Sequence, residues 1–440
     1  MDIKIKNFVR KLNTKQKIGI IILFMIFIRI GSLIRLPFVN ADYMKGLLDG
    51  SNIGVLSILT GTSLSEMGIF ALSITPYISA SIIIQLLTIV FPSLEEMAKD
   101  GTTGQEKYKK VIRYTGLGLA LLQAVAMSIG FGRNGLIEPF SVWTVIAAAA
   151  TWTIGAGILI AIGEFIELFG LGSGISMILF LNIVSTVPND VKGIFDMYIS
   201  GKNPATATVT AVIAIAIFAA ILYACNYLVS AERRITLTSS RKLSSYNTGS
   251  STNIMPIPFL TCSVMPVIFT SSIFSLPLIL ARFIPAMQTG IAGKIISSLN
   301  QGNWFNSTEP MYTLGVILYA LLTTFFAYFY LNIQYNPIEM ANNLKKSGTV
   351  IAGIRPGKPT ADYIEKITKE TAIAGNACLI ALIVATTAVT NLLGFSNMAL
   401  GGTSAIIAVS VVNEVRKKLE AELLSDKVHK KTAFSFLGRV

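Results

Sequence analysis

Charge is what this sequence has least of: 13 % of its 440 residues are Asp, Glu, Lys or Arg, about half the ~25 % of a soluble globular chain. With so little to solvate a surface, and 52 % of its residues hydrophobic, the chain is excluded as a soluble enzyme, a nucleic-acid-binding module or a disordered scaffold. Histidine is nearly missing, with His429 alone in a lysine-rich tail. Cys225, Cys262 and Cys378 lie far apart inside apolar runs, without metal-ligand spacing or a paired framework, and read as small buried residues. The sequence contains no His-Glu-x-x-His, Cys/His cluster or Gly-x-Ser-x-Gly. A hydrolase or transferase would lack convergent residues, so no enzyme, metal or organic cofactor is expected. Gly290-Ile291-Ala292-Gly293-Lys294 faintly resembles a phosphate loop but lacks the four-residue interval and the Ser or Thr after the lysine.

What is present is a series of long apolar runs, with a mean hydropathy of +0.65. A helix crossing the roughly 30 Å hydrocarbon core needs about 20 apolar residues. Eight runs qualify, at 18–36, 68–91, 111–131, 142–165, 209–229, 259–280, 312–335 and 371–395. Two shorter ones, 174–187 and 400–412, count as helices five and ten because the loop charges require them. With ten helices, one set of loops and adjoining helix ends holds 28 of the 36 Lys and Arg and the opposite set seven, Arg29 inside helix one being the last. That asymmetry places both termini in the cytoplasm, and dropping either short helix destroys it. The distribution of Lys and Arg thus orients the chain, and the net charge of +13 needs no acidic partner to explain it. The first apolar run is too long for a signal-peptide core and lacks a small-residue cleavage site, so no cleavable signal is expected.

The fold class is therefore an all-α polytopic membrane protein of ten transmembrane helices. Five plus five forces the halves into opposite orientations, as in inverted repeats. The expected division is 1–187 and 209–415, with 188–208 as a hinge loop containing Pro, Gly and Asn and 416–440 as a basic cytoplasmic tail. No convincing internal repeat supports it. An ion-coupled secondary transporter of a small solute is the alternative, and it wants ionisable groups at mid-membrane. Arg29 is the one clear case; Glu164, Glu167 and Glu414 fall near cytoplasmic helix ends.

Three segments are polar in unusual places. Ser73 to Ser81 opens helix two with hydroxyls and Pro76, followed by Gln85. Gly401-Gly402-Thr403-Ser404 begins helix ten. Between helices eight and nine lie Asn336-Pro337, Lys345-Lys346 and Gly353-Ile354-Arg355-Pro356-Gly357, where turn residues flank an arginine at a rigid tip. These segments, with Phe27-Ile28-Arg29-Ile30-Gly31-Ser32 in helix one, resemble in order the signatures of the bacterial SecY family, the channel subunits of the Sec protein translocase.

The resemblance implies two five-helix halves in a clamshell, with a lateral gate between helices two and seven and a plug at about 56–67. It implies a pore ring of Ile74, Ile78, Ile175, Leu179, Ile268 and Ile407. The i, i+4 spacing of 74/78 and 175/179 independently puts each pair on one helix face. Gln85 and Thr403 are implied as polar residues near the gate, and Arg355, flanked by Lys345 and Lys346, as the contact for a ribosome or SecA motor ATPase. The implied function is a protein-conducting channel in the bacterial cell membrane, moving unfolded secretory chains across it and membrane proteins laterally into it. The implied partners are SecE-like and SecG-like small subunits, signal peptides, client polypeptides and membrane lipid.

Departures are concentrated in loops. Leu36-Pro37-Phe38-Val39-Asn40 keeps one proline where the family usually has two, and Gly172-Ser173-Gly174-Ile175-Ser176 stands for Gly-Asn-Gly-Ile-Ser. Pro256-Ile257-Pro258-Phe259-Leu260 loses the usual Lys and Asn before helix seven, and Arg233-Arg234-Ile235 continues into Thr236-Leu237-Thr238-Ser239-Ser240. These losses hint at a divergent or accessory member, held as the alternative to a housekeeping copy.

Overall fold

The computed structural model describes residues 12–40, 60, 62–198, 204–239, 253–260, 264–283, 290–305, 310–392 and 401–437. Helices fill all ten expected positions: α1 (Thr14–Leu33), α2 (Thr75–Val90), α3 (Gly101–Phe131), α4 (Val142–Leu168), α5 (Gly174–Tyr198), α6 (Pro204–Ser230), α7 (Met265–Phe283), α8 (Thr313–Gln334), α9 (Lys358–Leu392) and α10 (Thr403–Leu437). Among the described residues, seven of these are long and apolar enough to cross a membrane alone. Helix α2 passes the same test only together with the helix Pro92–Lys99, from which it is bent by 109° at Phe91, where the following proline disfavours helix. Between 17 % and 50 % of each apolar window is buried, so the rest of these surfaces is left to lipid or partners.

Helices α1–α5 pack mainly among themselves, as do α6–α10, and the groups meet where α2 and α3 touch α7, where α5 touches α6 and where α10 touches α1 and α5. One apolar core runs through both groups; a second surrounds Trp152 within the first. At the basic end, Arg113 grips Glu164 with both guanidinium arms and Lys109 reaches Glu167 at 2.8 Å, joining α3 to α4. Lys17 of α1 pairs with Glu422 on the extension of α10.

The structure corrects several expected boundaries. Residues 68–74, read as helical, form a non-helical turn sequence with Ser73 at φ +52°. Residues 188–198, expected in the loop, continue α5 through Pro188. Past Val412, α10 continues to Leu437, supported at Glu414–Lys418 and Arg416–Glu420 by i, i+4 pairs. Cys225 is buried, but Cys378 is exposed, and Cys262 lies outside the described residues.

The all-α expectation also misses a three-stranded antiparallel sheet of order β2-β1-β3, made from β1 (Glu232–Ser239), β2 (Asn253–Pro258) and β3 (Thr349–Ile351). Ile235 and Leu237 alternate inward along β1, the two-residue period of a half-buried strand. With Ile257 and Ile351 they cover Ile364 and Ile367 at the start of α9.

The turn before α2 is held by close approaches that a larger side chain would spoil. A Cβ on Gly155 of α4 would stand 2.2 Å from the Ile69 carbonyl oxygen, whereas one on Gly157 would meet only the Leu117 Cδ2, at 3.2 Å. Gly155→Ala is therefore expected to cost about 1–3 kcal/mol by overpacking. Gly157→Ala should be tolerated by a shift of the leucine. Thermal unfolding of the two detergent-purified variants checks this, and equal midpoints would contradict it.

Candidate functional site

Ile74 caps the N-terminus of α2, with Pro76 just inside the helix, and Ile78 follows one turn later. Leu179 lies on α5, Ile268 in the first turn of α7 and Ile407 near the start of α10. These five are at most 5 % exposed and belong to one apolar cluster, against which the partly buried Ile175 packs. The two five-helix groups thus both contribute aliphatic side chains to one apolar core, which also holds aromatic residues such as Tyr77, Phe274 and Tyr319. These six side chains carry no hydrogen-bonding group, so a constriction made of them would exclude water and could not hold a hydrated ion.

The short helix Thr62–Ser65 lies against α1 and α5. It belongs to the described part of the 56–67 segment, residues 60 and 62–67; residues 56–59 and 61 lie outside the described residues. Thr75 and Ser79 on α2 carry buried hydroxyl oxygens without hydrogen-bond partners among the described residues.

Gln85 and Thr403 are not brought together. Gln85 lies seven residues beyond Ile78, about 10 Å along the helix axis, and its Nε2 donates to Ser81 Oγ at 2.9 Å. Thr403 is fully buried and donates to Gln301 Oε1 at 3.4 Å. The Gln301 carbonyl accepts from Asn391 Nδ2 at 3.3 Å. Thr403 is thus fastened to α9 and to the segment before α8. Gln301 has no signal in sequence, because its partners lie 90 and 102 residues away.

Arg355 stands exposed at the tip next to the sheet. Gly353 and Gly357 take φ +81° and +107°, values open to glycine, so the chain reverses tightly around it. Ile354 N–H donates to Ile351 C=O at 3.1 Å and its side chain tucks against the core under the sheet, and the neighbouring arginine is left outside. The Thr360 hydroxyl donates to the Arg355 carbonyl at 2.8 Å. Lys345 and Lys346 are exposed in the last turn of the helix Pro337–Lys346, where the helix dipole favours cations. Arg233 and Arg234 on β1 join the same unit, Arg233 facing Glu370 of α9 at 3.5 Å. Sequence reasoning did not connect the two loops; the period-two pattern of Ile235 and Leu237 was the available signal.

The acidic residues a coupled transporter would have used are committed elsewhere. Glu164 and Glu167 pair with Arg113 and Lys109, and Glu414 with Lys418 at 2.7 Å. The features together define a multi-pass helical membrane protein whose two five-helix groups share one apolar core.

The SecY family model matches residues 68–416. The protein translocase subunit SecY of Staphylococcus epidermidis is 32 % identical over 431 residues, covering 95 % of this chain and 97 % of that protein. That of Streptococcus gordonii is 33 % identical over 423 residues, covering 92 % and 94 %. A solved structure described as a protein conducting channel superposes with a TM-score of 0.68 at 18 % identity, covering 93 % of this chain and 92 % of that one. Sec61 in a canine ribosome-channel complex gives 0.63 at 17 %, with the same coverage. The chain belongs to the SecY family. The transporter alternative gains no support from these relatives.

Both loops depend on the core they share. Ile351→Ala is expected to cost about 2–4 kcal/mol of local stability and to open the Arg233-Arg234 bond to trypsin. Membrane insertion should be unchanged. A digestion rate equal to wild type would contradict the dependence.

Proposed function

We infer that this chain is the channel subunit of a bacterial protein translocase, passing unfolded polypeptides across the cell membrane and membrane segments sideways into lipid. The observation that carries the reading is the apolar core shared by both groups, to which Ile74, Ile78, Ile175, Leu179, Ile268 and Ile407 contribute and which we read as holding a common aliphatic centre. Flexible aliphatic side chains close around a peptide of any sequence and stay dry when no peptide is present. In this reading the α2–α7 contact is the lateral gate, with Gln85 and Thr403 as polar residues near it. Residues 56–67 are the plug, and the connection between α5 and α6 is the hinge between the halves. Both termini face the cytoplasm, as the basic loops favour.

The exposed Arg355, with Lys345 and Lys346, is the docking point for the driver. Ribosome-bound relatives such as canine Sec61 and the idle yeast Ssh1 complex support a ribosome. A SecA-type motor ATPase is the other driver proposed. SecE-like and SecG-like subunits would cover part of the exposed apolar surface, and lipid the rest. Signal peptides would enter at the gate. Chemistry on a bound substrate has no part in this reading, which invokes no cofactor or metal.

Replacing Ile74 and Ile78 together by Gly should admit water and give substrate-independent ion conductance in a planar bilayer, while Ile→Leu at both positions stays sealed. Normal insertion with no conductance would make both residues ordinary packing. Arg355→Glu should abolish driver-dependent export with assembly intact, measured as translocation of a radiolabelled precursor into inverted vesicles. Unchanged export would remove Arg355 from the docking point.

A further inference from the structure

The residue immediately before Ile74 is strained. Ser73 has φ +52°, in the left-handed region that residues other than Gly, Asn and Asp rarely enter. It is 1 % exposed, so solvent does not relieve it. Its N–H donates to the Phe70 carbonyl at 2.8 Å. Its Oγ accepts a hydrogen bond from Asn182 Nδ2, also at 2.8 Å. Asn182 is buried on α5, three residues beyond Leu179. The bond therefore joins the start of α2 to α5, with a ring residue beside each of its ends.

We propose that Asn182 is a positioning residue for the pore ring. Through its hydrogen bond to Ser73 it holds the turn in the left-handed conformation, fixes the direction in which α2 leaves that turn, and so seats Ile74 and Ile78 against the α5 side of the ring. Without the bond, Ser73 relaxes toward extended or right-handed backbone, and the first turn of α2 swings with it. A glycine at position 73 would need no such restraint, because it takes φ +52° without a Cβ penalty. The proposal rests on the reading of these aliphatic residues as the ring.

The test is a double-mutant cycle read as resting conductance in planar bilayers and as export of a precursor with a defective signal. Asn182→Ala should raise resting conductance about tenfold, the scale set by the cost of a left-handed L-residue, and should loosen signal selectivity. Ser73→Ala keeps the strain and loses the acceptor, so it should leak likewise. Ser73→Gly alone should stay sealed, and Ser73→Gly with Asn182→Ala should return to near wild-type conductance. Ile78→Gly is the reference for the ring itself. If Ile78→Gly leaks and Asn182→Ala does not, the positioning role is overturned and the ring stands; if neither leaks, the ring reading falls with it. A double variant as leaky as Asn182→Ala also overturns the proposal, because the lost amide volume would then be the cause. Should Asn182→Ala fail to insert, restored insertion in the double variant supports the role, and continued failure overturns it.

Discussion

Irregular backbone inside a helical bundle must find every hydrogen-bond partner within the protein, since hydrocarbon offers none. The stretch from Gly68 to Ile74 sets that demand here. Gly68 N–H reaches Ser63 C=O at 3.3 Å, Ile69 reaches Ile34 C=O at 3.1 Å, and Ala71 and Ser73 bond back to Gly68 and Phe70. The neighbours follow from this. Helix α1 ends at Leu33 and leaves the Ile34 carbonyl free to accept. Gly155 lets α4 pass within contact of the Ile69 carbonyl. Because the turn uses up part of the apolar run, α2 is only 16 residues long and starts inside the bundle, beside the aliphatic centre. A helix begun at Gly68 would have placed Ile74 two turns in, with no backbone break to set its direction.

Many hydroxyls elsewhere are satisfied locally, and that bears on the class of function. Ser128, Thr151, Thr153, Thr270 and Ser272 each donate to the carbonyl four residues back on their own helix. Such bonds neutralise a hydroxyl in apolar surroundings without building a binding site. Apart from Arg35–Glu66, the ion pairs described gather at the basic end, and exposed pairs contribute only about 0.2–1 kcal/mol each. Their effect is on register: Arg113–Glu164 aligns α3 with α4, and Lys17–Glu422 ties α1 to the extension of α10 across the two groups. A conduit for chains of any sequence needs this distribution, with specificity kept off the path and polarity at the ends.

Legibility in the sequence followed the range of the interactions. The spans were readable because hydrophobic runs are local and the charge asymmetry adds over many loops. The tip was readable because Gly353, Arg355 and Gly357 lie within five residues. Boundaries failed where a tertiary neighbour overrode the local pattern: residues 68–74 are as apolar as a helix, yet α1 and α4 crowd them into turns. The extension of α10 was missed for the opposite reason, since polar residues after Val412 end a membrane run but not a helix. The sheet was missed because β1 pairs with β3 more than 100 residues away, and single-strand patterns of eight residues carry little weight without a partner. The Asn182–Ser73 bond, spanning 109 residues, has no local signature.

The basic tip and the aliphatic centre are joined by one element. Helix α9 is 35 residues long, about 50 Å at 1.5 Å per residue. At one end Ile364 and Ile367 carry the sheet and Arg355. At the other, Asn391 bonds to the Gln301 carbonyl, and Gln301 in turn accepts from Thr403, four residues before Ile407. A Cβ on Gly402 would stand 2.7 Å from the Thr387 hydroxyl, so the start of α10 is also seated directly on α9. A driver bound at the tip would therefore act on a rigid rod whose far end sets the position of α10. Such a connection transmits displacement only if the driver binds one arrangement of the rod better than another; with equal affinity for both, it would shift nothing. The ion pair between Arg233 and Glu370 is too exposed to supply that difference by itself. The buried contacts of Ile351, Ile364 and Ile367 are the part of the connection that a change in the sheet would have to disturb.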